Sequence, residues 1–306
     1  MATTRRGILA AAGAGALFAG SPRSSAGSPR RREALDLTTP LGNVTAYLKL
    51  RASIDTRDVF MWFTGRLDLV VPGEPVRPII DVESLILRRT VRLGPAEWTV
   101  TDWEAALYRP LGENRYLEPG ELIRNPHTGR DVSPHHYVEG PVRFRFSESE
   151  PRIVGSRDVL PVTGKPFSYP WRVVNDDLWM TKSSYIRVPN WLDPANFPEE
   201  SSGKELIVAT HSSLRGSLAE IDNPDISAVR SDFAYTATSG WLPWMKMGGT
   251  PGTVSWAESG RKLLALDEAP AAQIAALRRV HPQWFDRPEP WSDFTNMYLQ
   301  YKARSR

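Results

Sequence analysis

The chain has 306 residues, of which 38 are Lys or Arg, 35 are Asp or Glu and none is Cys. The lack of cysteine excludes disulfides, thiolate nucleophiles, iron–sulfur clusters and cysteine zinc sites. The near balance of charges argues against a general binder of nucleic acid, which would carry a clear basic excess.

The N-terminus carries the pattern of an export signal. Arg5 and Arg6 stand directly before a weakly apolar run over residues 7–20, and small residues follow up to Ala26. This pattern predicts a twin-arginine signal over residues 1–26, cleaved after Ala26 or, alternatively, at the end of the apolar run. The run is shorter than the ~20 apolar residues of a spanning helix, so we expect no stable membrane insertion. The expected location is periplasmic or extracellular.

A segment rich in Ser, Pro and Arg follows the signal, and it predicts a flexible linker over residues 27–41. Without residues 1–26, basic and acidic residues are equal in number, so the mature chain has no charge excess for anionic partners. No further linker interrupts the sequence, and we expect a single domain over residues 42–306.

The rest of the chain is dominated by β-branched and aromatic runs separated by Pro and Gly, as strands and turns require. The predicted strands cover residues 44–53, 59–71, 79–93, 97–108, 137–146, 153–162, 171–188, 205–211 and 232–239. No β-α-β rhythm and no glycine-rich phosphate loop appears, which argues against a nucleotide-binding fold.

Helices are expected only near the C-terminus, over residues 269–280 and 291–302. The first has Pro270 in its first turn and arginines near its end, where they complement the helix dipole. We therefore predict an all-β, predominantly antiparallel fold. It is either a large β-barrel or two packed barrel-like halves, lipocalin- or calycin-like, with short C-terminal helices.

Three ordered segments carry a family resemblance. They are residues 125–129 (NPHTG) followed by His136, residues 177–179 (DLW), and residues 241–248 (WLPWMKMG). This set resembles the bacterial and fungal family known as domain of unknown function 1838 (DUF1838), from about residue 42 to the end. The resemblance implies no agreed activity, but it marks Asn125, His136 and the Trp-rich segment as family positions.

The chain also departs from the family pattern. Glu139 and Gly140 stand where an Asn-Asp pair is expected ahead of a proline, and residues 109–114 (RPLGEN) replace an acidic turn. Any role of those family carboxylates is therefore in doubt for this protein.

Histidines are the first candidates for chemistry, because a neutral imidazole moves protons near neutral pH. We expect His136 to point inward, on its family position, with His211 across a cavity and Asp177, or alternatively its neighbour Asp176, orienting either ring. His136, His211 and Asp177 are the predicted catalytic group. Two histidines and a carboxylate can also form a metal triad. None of the three stands in a metal-binding interval, so we expect no metal, and a hydrogen-bonded core histidine is the alternative for His136.

Serine hydrolase and glycosidase chemistry has little support in the sequence. No Gly-x-Ser-x-Gly elbow is present, and the acid pairs Asp176-Asp177 and Glu199-Glu200 are sequence neighbours, which are more often turn or surface residues.

The Trp-rich segment is the strongest local signal. Its indoles and thioethers suit a wall that packs on an apolar ligand, and the alternative is a structural plug at one end of the sheet. The predicted ligand-binding residues are Trp241, Trp244, Met245, Trp179, Arg187 and Asn125.

Two functions remain open from the sequence. The first is an exported enzyme of lyase, isomerase or hydratase type, without a cofactor, that acts on a small hydrophobic molecule in the barrel cavity. The second is a non-catalytic carrier of an apolar ligand. In both cases the partners are that small molecule and the twin-arginine export machinery.

Overall fold

The computed structural model describes residues 35–149, 152–153, 164–286 and 294–305. The predicted export signal and residues 27–34 of the predicted linker lie outside the described residues. So do residues 154–162 of one predicted strand and residues 291–293 of the second predicted C-terminal helix.

The described strands are β1 (Arg57–Val70), β2 (Arg77–Gly94), β3 (Glu97–Arg109), β4 (Ile123–Arg124), β5 (Asp131–Val132), β6 (Tyr137–Phe146), β7 (Arg152–Ile153), β8 (Arg172–Val174), β9 (Asp177–Pro189), β10 (Glu205–Ser217), β11 (Asp232–Ser239) and β12 (Thr253–Leu263). The described helices are α1 (Pro40–Arg51), α2 (Leu218–Asp222), α3 (Ala271–Val280), α4 (Gln283–Asp286) and α5 (Met297–Arg304). Two single-turn 3₁₀ helices cover Pro243–Met245 and Leu266–Glu268.

Ten of these strands form one antiparallel sheet in the order β7-β6-β3-β2-β1-β12-β11-β10-β9-β8. The sheet is strongly curled into a half-barrel, and β7 and β8 are its edge strands. The predicted all-β, antiparallel class with short C-terminal helices is confirmed. β12, between β1 and β11 at the middle of the sheet, was not among the predicted strands.

Glycines allow the sheet to bend between β1 and β12. Gly260 lies opposite Phe63, and a Cβ at Gly260 would stand only 2.0 Å from the Trp62 carbonyl oxygen. Gly65, opposite Glu258, has the same constraint, since its Cβ would stand 2.0 Å from the Ala257 oxygen. Close backbone approach of this kind is a known device for curvature in sheets.

The expectation of a strand over residues 44–53 was wrong, because α1 occupies this region. Thr39 caps the helix by accepting a hydrogen bond from the Gly42 N–H at 3.1 Å, and Pro40 fills the first turn. The helix is buried almost all round, including Val44 and Leu48, so its sequence carries no one-sided apolar stripe.

The two faces of the sheet bury different elements. On one face, which we call the inner face, α1 packs on Met61 and Phe63 at one end. Residues 241–247 close the other end of that face around Tyr108. On the opposite, outer face, α3 and α4 cover an apolar cluster around Trp103. Among the described helices, none is long and apolar enough to cross a membrane.

Candidate functional site

Three glutamates on different strands share the inner face. Glu139 on β6 lies directly opposite Glu104 on β3, and Glu104 lies opposite Ile86, which in turn faces Met61 on β1. Gly65, four residues beyond Met61, faces Glu258 on β12. Because side chains alternate along a strand and directly paired residues share a face, all three carboxyls project from the same side of the sheet.

This face is concave. Glu139 on β6 and Tyr235 on β11 are five strand spacings apart in the sheet, which in a flat sheet would be about 24 Å. Nevertheless the carboxyl of Glu139 contributes, after burial, to raising the pKa of Tyr235. The curl therefore turns these side chains towards one another, and the space they line is called here the inner cleft.

Burial shifts the pKa values of all three carboxyls upward. It raises the pKa of Glu104 to about 7, with the hydroxyls of Ser84 and Tyr137 acting in the opposite direction. Burial, and next the charge of Glu104, raises the pKa of Glu139 to about 8. The same two causes raise the pKa of Glu258 well above its usual range.

No cation among the described residues offsets these shifts at Glu139 or Glu258, whose pKa values are affected only by burial and by Glu104. Glu258 is only 8% exposed. The group therefore holds protons near neutral pH, and its members titrate as a coupled set.

Tyrosines surround the carboxyls. Burial and the nearby glutamates raise the pKa of Tyr137 and of Tyr235, so both phenols keep their protons. Burial likewise raises the pKa of Tyr108, and it raises that of Tyr298 to about 12. The inner cleft thus combines proton-holding carboxyls with neutral hydroxyl donors.

A second polar group lies on the inner face two residues before Glu104. Asp102 accepts a hydrogen bond from Arg51 at 2.6 Å and from Arg88 at 3.4 Å, and Arg51 also donates to the Tyr47 hydroxyl at 2.7 Å. Burial alone would raise the pKa of Asp102, but the two guanidinium groups outweigh it and hold that pKa below its usual value. Unlike its neighbour Glu104, Asp102 is therefore a fixed negative charge.

The inner face becomes more polar and more exposed along β9–β11. Directly paired residues form a row across the strands, from Glu258 through Tyr235 to Ser212 on β10 and Lys182 on β9. Ser212 is half-buried, and Lys182 is exposed. The inner face is therefore polar and partly exposed on this side, whereas α1 and residues 241–247 cover its ends.

The structure places the predicted catalytic residues apart. His136 is 7% exposed, its Nδ1 accepts from the Tyr108 N–H at 3.0 Å, and its Nε2 then donates to the Leu117 oxygen at 2.9 Å. Burial lowers the pKa of His136, so the ring is neutral. With both nitrogens bonded to backbone, it has the geometry of a core histidine that fastens a loop to β3.

His211 and Asp177 lie elsewhere. His211 is exposed on the outer face of β10, where its Nδ1 contacts the Ser183 hydroxyl at 2.9 Å. Asp177 begins β9 and lies 3.7 Å from Arg215. The structure does not bring these two residues to the inner cleft, and the catalytic role assigned to the three from sequence stays a prediction.

The Trp-rich segment is packed into the core. Trp241, Trp244 and Met245 are at most 3% exposed, and the Trp244 ring meets Tyr108 edge-on with centroids 5.6 Å apart. Through Tyr108, the segment supports one wall of the inner cleft. Trp244 also borders a void of about 10 Å³ beside His136, which is about the volume of one water.

Asn125 connects the two family motifs. It is fully buried, its Oδ1 accepts from the His127 N–H at 2.9 Å, and its Nδ2 donates to the Met245 oxygen at 2.9 Å. The remaining predicted ligand residues, Trp179 and Arg187, stand on the outer face of β9, where Trp179 stacks with Arg215 and Arg187 pairs with Glu205.

Sequence reasoning missed the three glutamates as functional candidates. Glu139 was singled out only as a departure from the family pattern, and Glu104 and Glu258 carry no motif. The only available signal was the strand alternation that places Asp102, Glu104 and Tyr108 on one face of β3.

Fold and site together define a class, that of antiparallel half-barrel proteins with a buried group of carboxyls and phenols on the concave face. Within it, the chain belongs to the family described as protein of unknown function (DUF1838), whose model matches residues 56–302. A search of the curated proteins found no match. Among the described residues, no group of three or more His, Cys, Asp or Glu is arranged to hold a metal ion.

Proposed function

We propose that the protein is an enzyme of lyase, isomerase or hydratase type, which moves protons on a small, largely apolar molecule bound in the inner cleft. The observation that carries this proposal is the group of Glu104, Glu139 and Glu258 on one concave face, with no cation beside Glu139 or Glu258 among the described residues. Groups whose pKa lies near the working pH are the most effective general acids and bases.

The roles follow from the two facing carboxyls. The pKa values of Glu104 and Glu139 are raised to about 7 and about 8, and the two groups titrate together. Near neutral pH the pair therefore shares a proton, so that one carboxyl can donate it while the other, which we propose is Glu104, accepts one from the substrate. Environments that separate the pKa values of neighbouring carboxyls are how acid and base roles are divided in known enzymes.

The tyrosines complement this pair. Negative charge that develops on a substrate oxygen would accept hydrogen bonds from the neutral phenols of Tyr137 and Tyr235. The apolar body of the substrate would rest on Trp256, which is half-buried and shares the inner face with Glu258.

Solvent deuterium provides a test that can be run before the substrate is identified. The purified mature protein in D₂O would be incubated with a library of apolar metabolites, and products would be followed by mass spectrometry. We expect deuterium at carbon, or a gain or loss of water, for at least one compound. Glu104→Gln and Glu139→Gln should slow this turnover by about 10²-fold or more, the usual effect of losing a general acid or base.

The control is Glu220→Gln, an exposed carboxyl of α2, which should leave turnover unchanged. If both cleft variants turned over the compound as fast as the wild type does, the proposed roles would be contradicted. A compound that binds to the protein without deuterium uptake or change of mass would instead favour the carrier function.

We also propose that the protein is exported by the twin-arginine route and acts in the periplasm or outside the cell. The basis is the sequence of residues 1–26 alone.

A further inference from the structure

One long edge of the sheet has no strand beside it. β9 pairs with β10 along its whole length, from Asp177 to Pro189, without a register shift. On its other side, β8 pairs only with residues 177–179. Among the described residues, no strand lies beside residues 180–188 on that side, which is called here the free edge of β9. Natural proteins usually shorten, bulge or cover an edge of this kind, because it is a template for another strand.

Backbone groups point out of the free edge at every second residue. The Asn190 N–H donates to the Lys204 oxygen just before β10, so the even-numbered residues direct their backbone groups towards β10. The Thr181 oxygen instead accepts from the Tyr169 hydroxyl at 3.2 Å, on the side away from β10. This direction alternates along an antiparallel strand. The residues that present N–H and C=O groups to the free edge are therefore Thr181, Ser183, Tyr185 and Arg187.

The side chains along the free edge are exposed and partly apolar. Tyr185 is 67% exposed, and Ile186 is 44% exposed. Lys182 is exposed on the inner face, and Arg187 pairs with Glu205 of β10 on the outer face. A further strand at this edge would cover apolar side chains as well as backbone hydrogen-bonding groups.

The two ends of the free edge are symmetric about Ser184. β8 already occupies the edge at Trp179, and Pro189 has no N–H to donate. The stretch between these two residues has Ser184 at its centre. A second β9, aligned antiparallel across a two-fold axis at Ser184, therefore ends where the first one ends. Moving the axis by one residue in either direction would bring Pro189 or Trp179 opposite an outward-pointing residue.

We propose that a second copy of this chain pairs with the free edge of β9 across a two-fold axis at Ser184 and continues the sheet. Ser183 pairs with Tyr185 of the second copy, and Thr181 pairs with its Arg187. With the symmetric pairs this makes about eight backbone hydrogen bonds, and the Thr181 oxygen can accept one of them beside that of its tyrosine partner.

The charges along β9 are compatible with this register. Lys182 lies opposite Ile186 of the second copy, whose apolar side chain can pack on the lysine stem, and Arg187 lies opposite Thr181. No two like charges face each other directly. The contact uses the same surface of both copies, as the interfaces of two-fold dimers do.

A single cysteine at the axis provides the first test, because the chain has none of its own. Directly opposite residues whose backbone groups point away from each other have Cα atoms about 4.5 Å apart, which suits a disulfide. We expect Ser184→Cys to form an intermolecular disulfide under mild oxidation, measured by mass. Ser183→Cys is the matched control, since position 183 lies opposite Tyr185 rather than opposite itself. Ser183 is the more exposed of the two serines, so random collision would favour the control.

Charge at Ile186 tests the register in a second way. Ile186→Lys places a like charge opposite Lys182 of the second copy, whereas Ile186→Glu places an opposite charge there, in both cases twice by symmetry. We expect the glutamate variant to dimerise at least about tenfold more tightly than the lysine variant, as measured by sedimentation over a concentration series. Thr236→Lys and Thr236→Glu, at an exposed position of β11 away from the edge, should dimerise equally. Because Ile186 is exposed, its variants remain informative even if Ser184→Cys fails to fold.

The wild-type protein should sediment as a dimer. A protein that stays monomeric up to about 1 mM would overturn the second copy as the occupant of the free edge. A dimer in which Ser183→Cys cross-links as fast as Ser184→Cys, or in which the two Ile186 variants associate equally, would also overturn the proposal, since its interface would lie elsewhere.

Discussion

At the scale of single residues, the inner cleft places carboxyls where burial opposes their charge. Glu104 and Glu139 face each other directly across β3 and β6, an arrangement in which two ionised groups would repel. The fold tolerates the pair because one or both keep a proton. This coupling of protonation to folding makes the site measurable through stability, without any substrate.

The first prediction concerns Glu139→Gln and pH. The pKa of Glu139 rises from 4.5 in the unfolded chain to about 8 in the fold, so its contribution to stability is complete below pH 4.5 and is lost as the pH rises through about 8. Glutamine cannot ionise and avoids this loss. We expect the variant to match the wild type near pH 5 and to be the more stable protein near pH 9.

Relative to the wild type, the variant should gain about 1.4 kcal/mol in the free energy of unfolding for each pH unit over which Glu139 is ionised in the unfolded chain but protonated in the fold. Urea unfolding at a series of pH values measures it. Glu220→Gln, which changes an exposed carboxyl, should show a flat difference from the wild type. A flat difference for Glu139→Gln as well would mean that Glu139 ionises freely in the folded protein.

The second prediction concerns Asp102, the charge shared by Arg51 and Arg88. The Asp102→Asn substitution leaves two largely buried guanidinium groups without their carboxylate, and removing one partner of such a group costs about 3–5 kcal/mol of unfolding free energy. The control is Asp131→Asn, whose exposed pair with Arg124 is worth at most about 1 kcal/mol. Chemical denaturation distinguishes the two, and equal losses would show that Asp102 is not a buried counter-ion.

Residue roles were the least predictable part from sequence. His136, Asn125 and Trp244 were identified as important positions, but a sequence does not show whether a polar side chain points to a ligand or to backbone. In the structure, the side chains of His136 and Asn125 form hydrogen bonds with backbone groups. Glu104 and Glu258 lie on strands that are not neighbours, and their charges influence one another through the curl of the sheet, which no local pattern encodes.

At the scale of elements, long strands were predictable and buried elements without periodicity were not. β6 (Tyr137–Phe146) was predicted with its observed bounds, because it lies between clear turn signals. α1 was misread as a strand, since a helix that is buried all round loses the 3.6-residue pattern. β12 was missed because Ser, Glu and Gly interrupt its apolar positions, including the Gly260 that the bend requires.

The third prediction concerns the connection between the turn at residues 125–129 and the 3₁₀ turn at Pro243–Met245. Asn125→Ala removes the amide that donates to the Met245 oxygen and accepts from the His127 N–H, leaving buried backbone groups unpaired. We expect a loss of about 1–3 kcal/mol in the free energy of unfolding. Asn114→Ala, at an exposed loop position, should change it by less than about 0.5 kcal/mol.

Hydrogen exchange would locate the effect of Asn125→Ala. Faster exchange of the amides in residues 241–250 is expected, because the turn no longer anchors that segment. If the amides of residues 241–250 exchanged at an unchanged rate and only those of residues 125–130 exchanged faster, the two motifs would be independent units.

At the scale of the whole molecule, the absence of cysteine and the size of the buried core agree with the proposed route of export. The twin-arginine route carries folded proteins, so under this proposal the chain would reach its native state in the reducing cytoplasm. A fold held by large apolar clusters on both faces of one sheet needs no oxidising compartment to form. The all-β class was predictable at this scale because it depends on composition and turn spacing rather than on any single contact.

The fourth prediction tests that route in the native host. Replacing Arg5 and Arg6 by lysine keeps the charge and apolar run but removes the paired arginines that define the signal. We expect the variant to accumulate uncleaved and folded in the cytoplasm, as measured by cell fractionation and mass. Lysine at Arg30 and Arg31, in the predicted linker, should leave export intact. Equal export of both variants would point instead to a route that threads the unfolded chain, and the proposed folding in the cytoplasm would then be wrong.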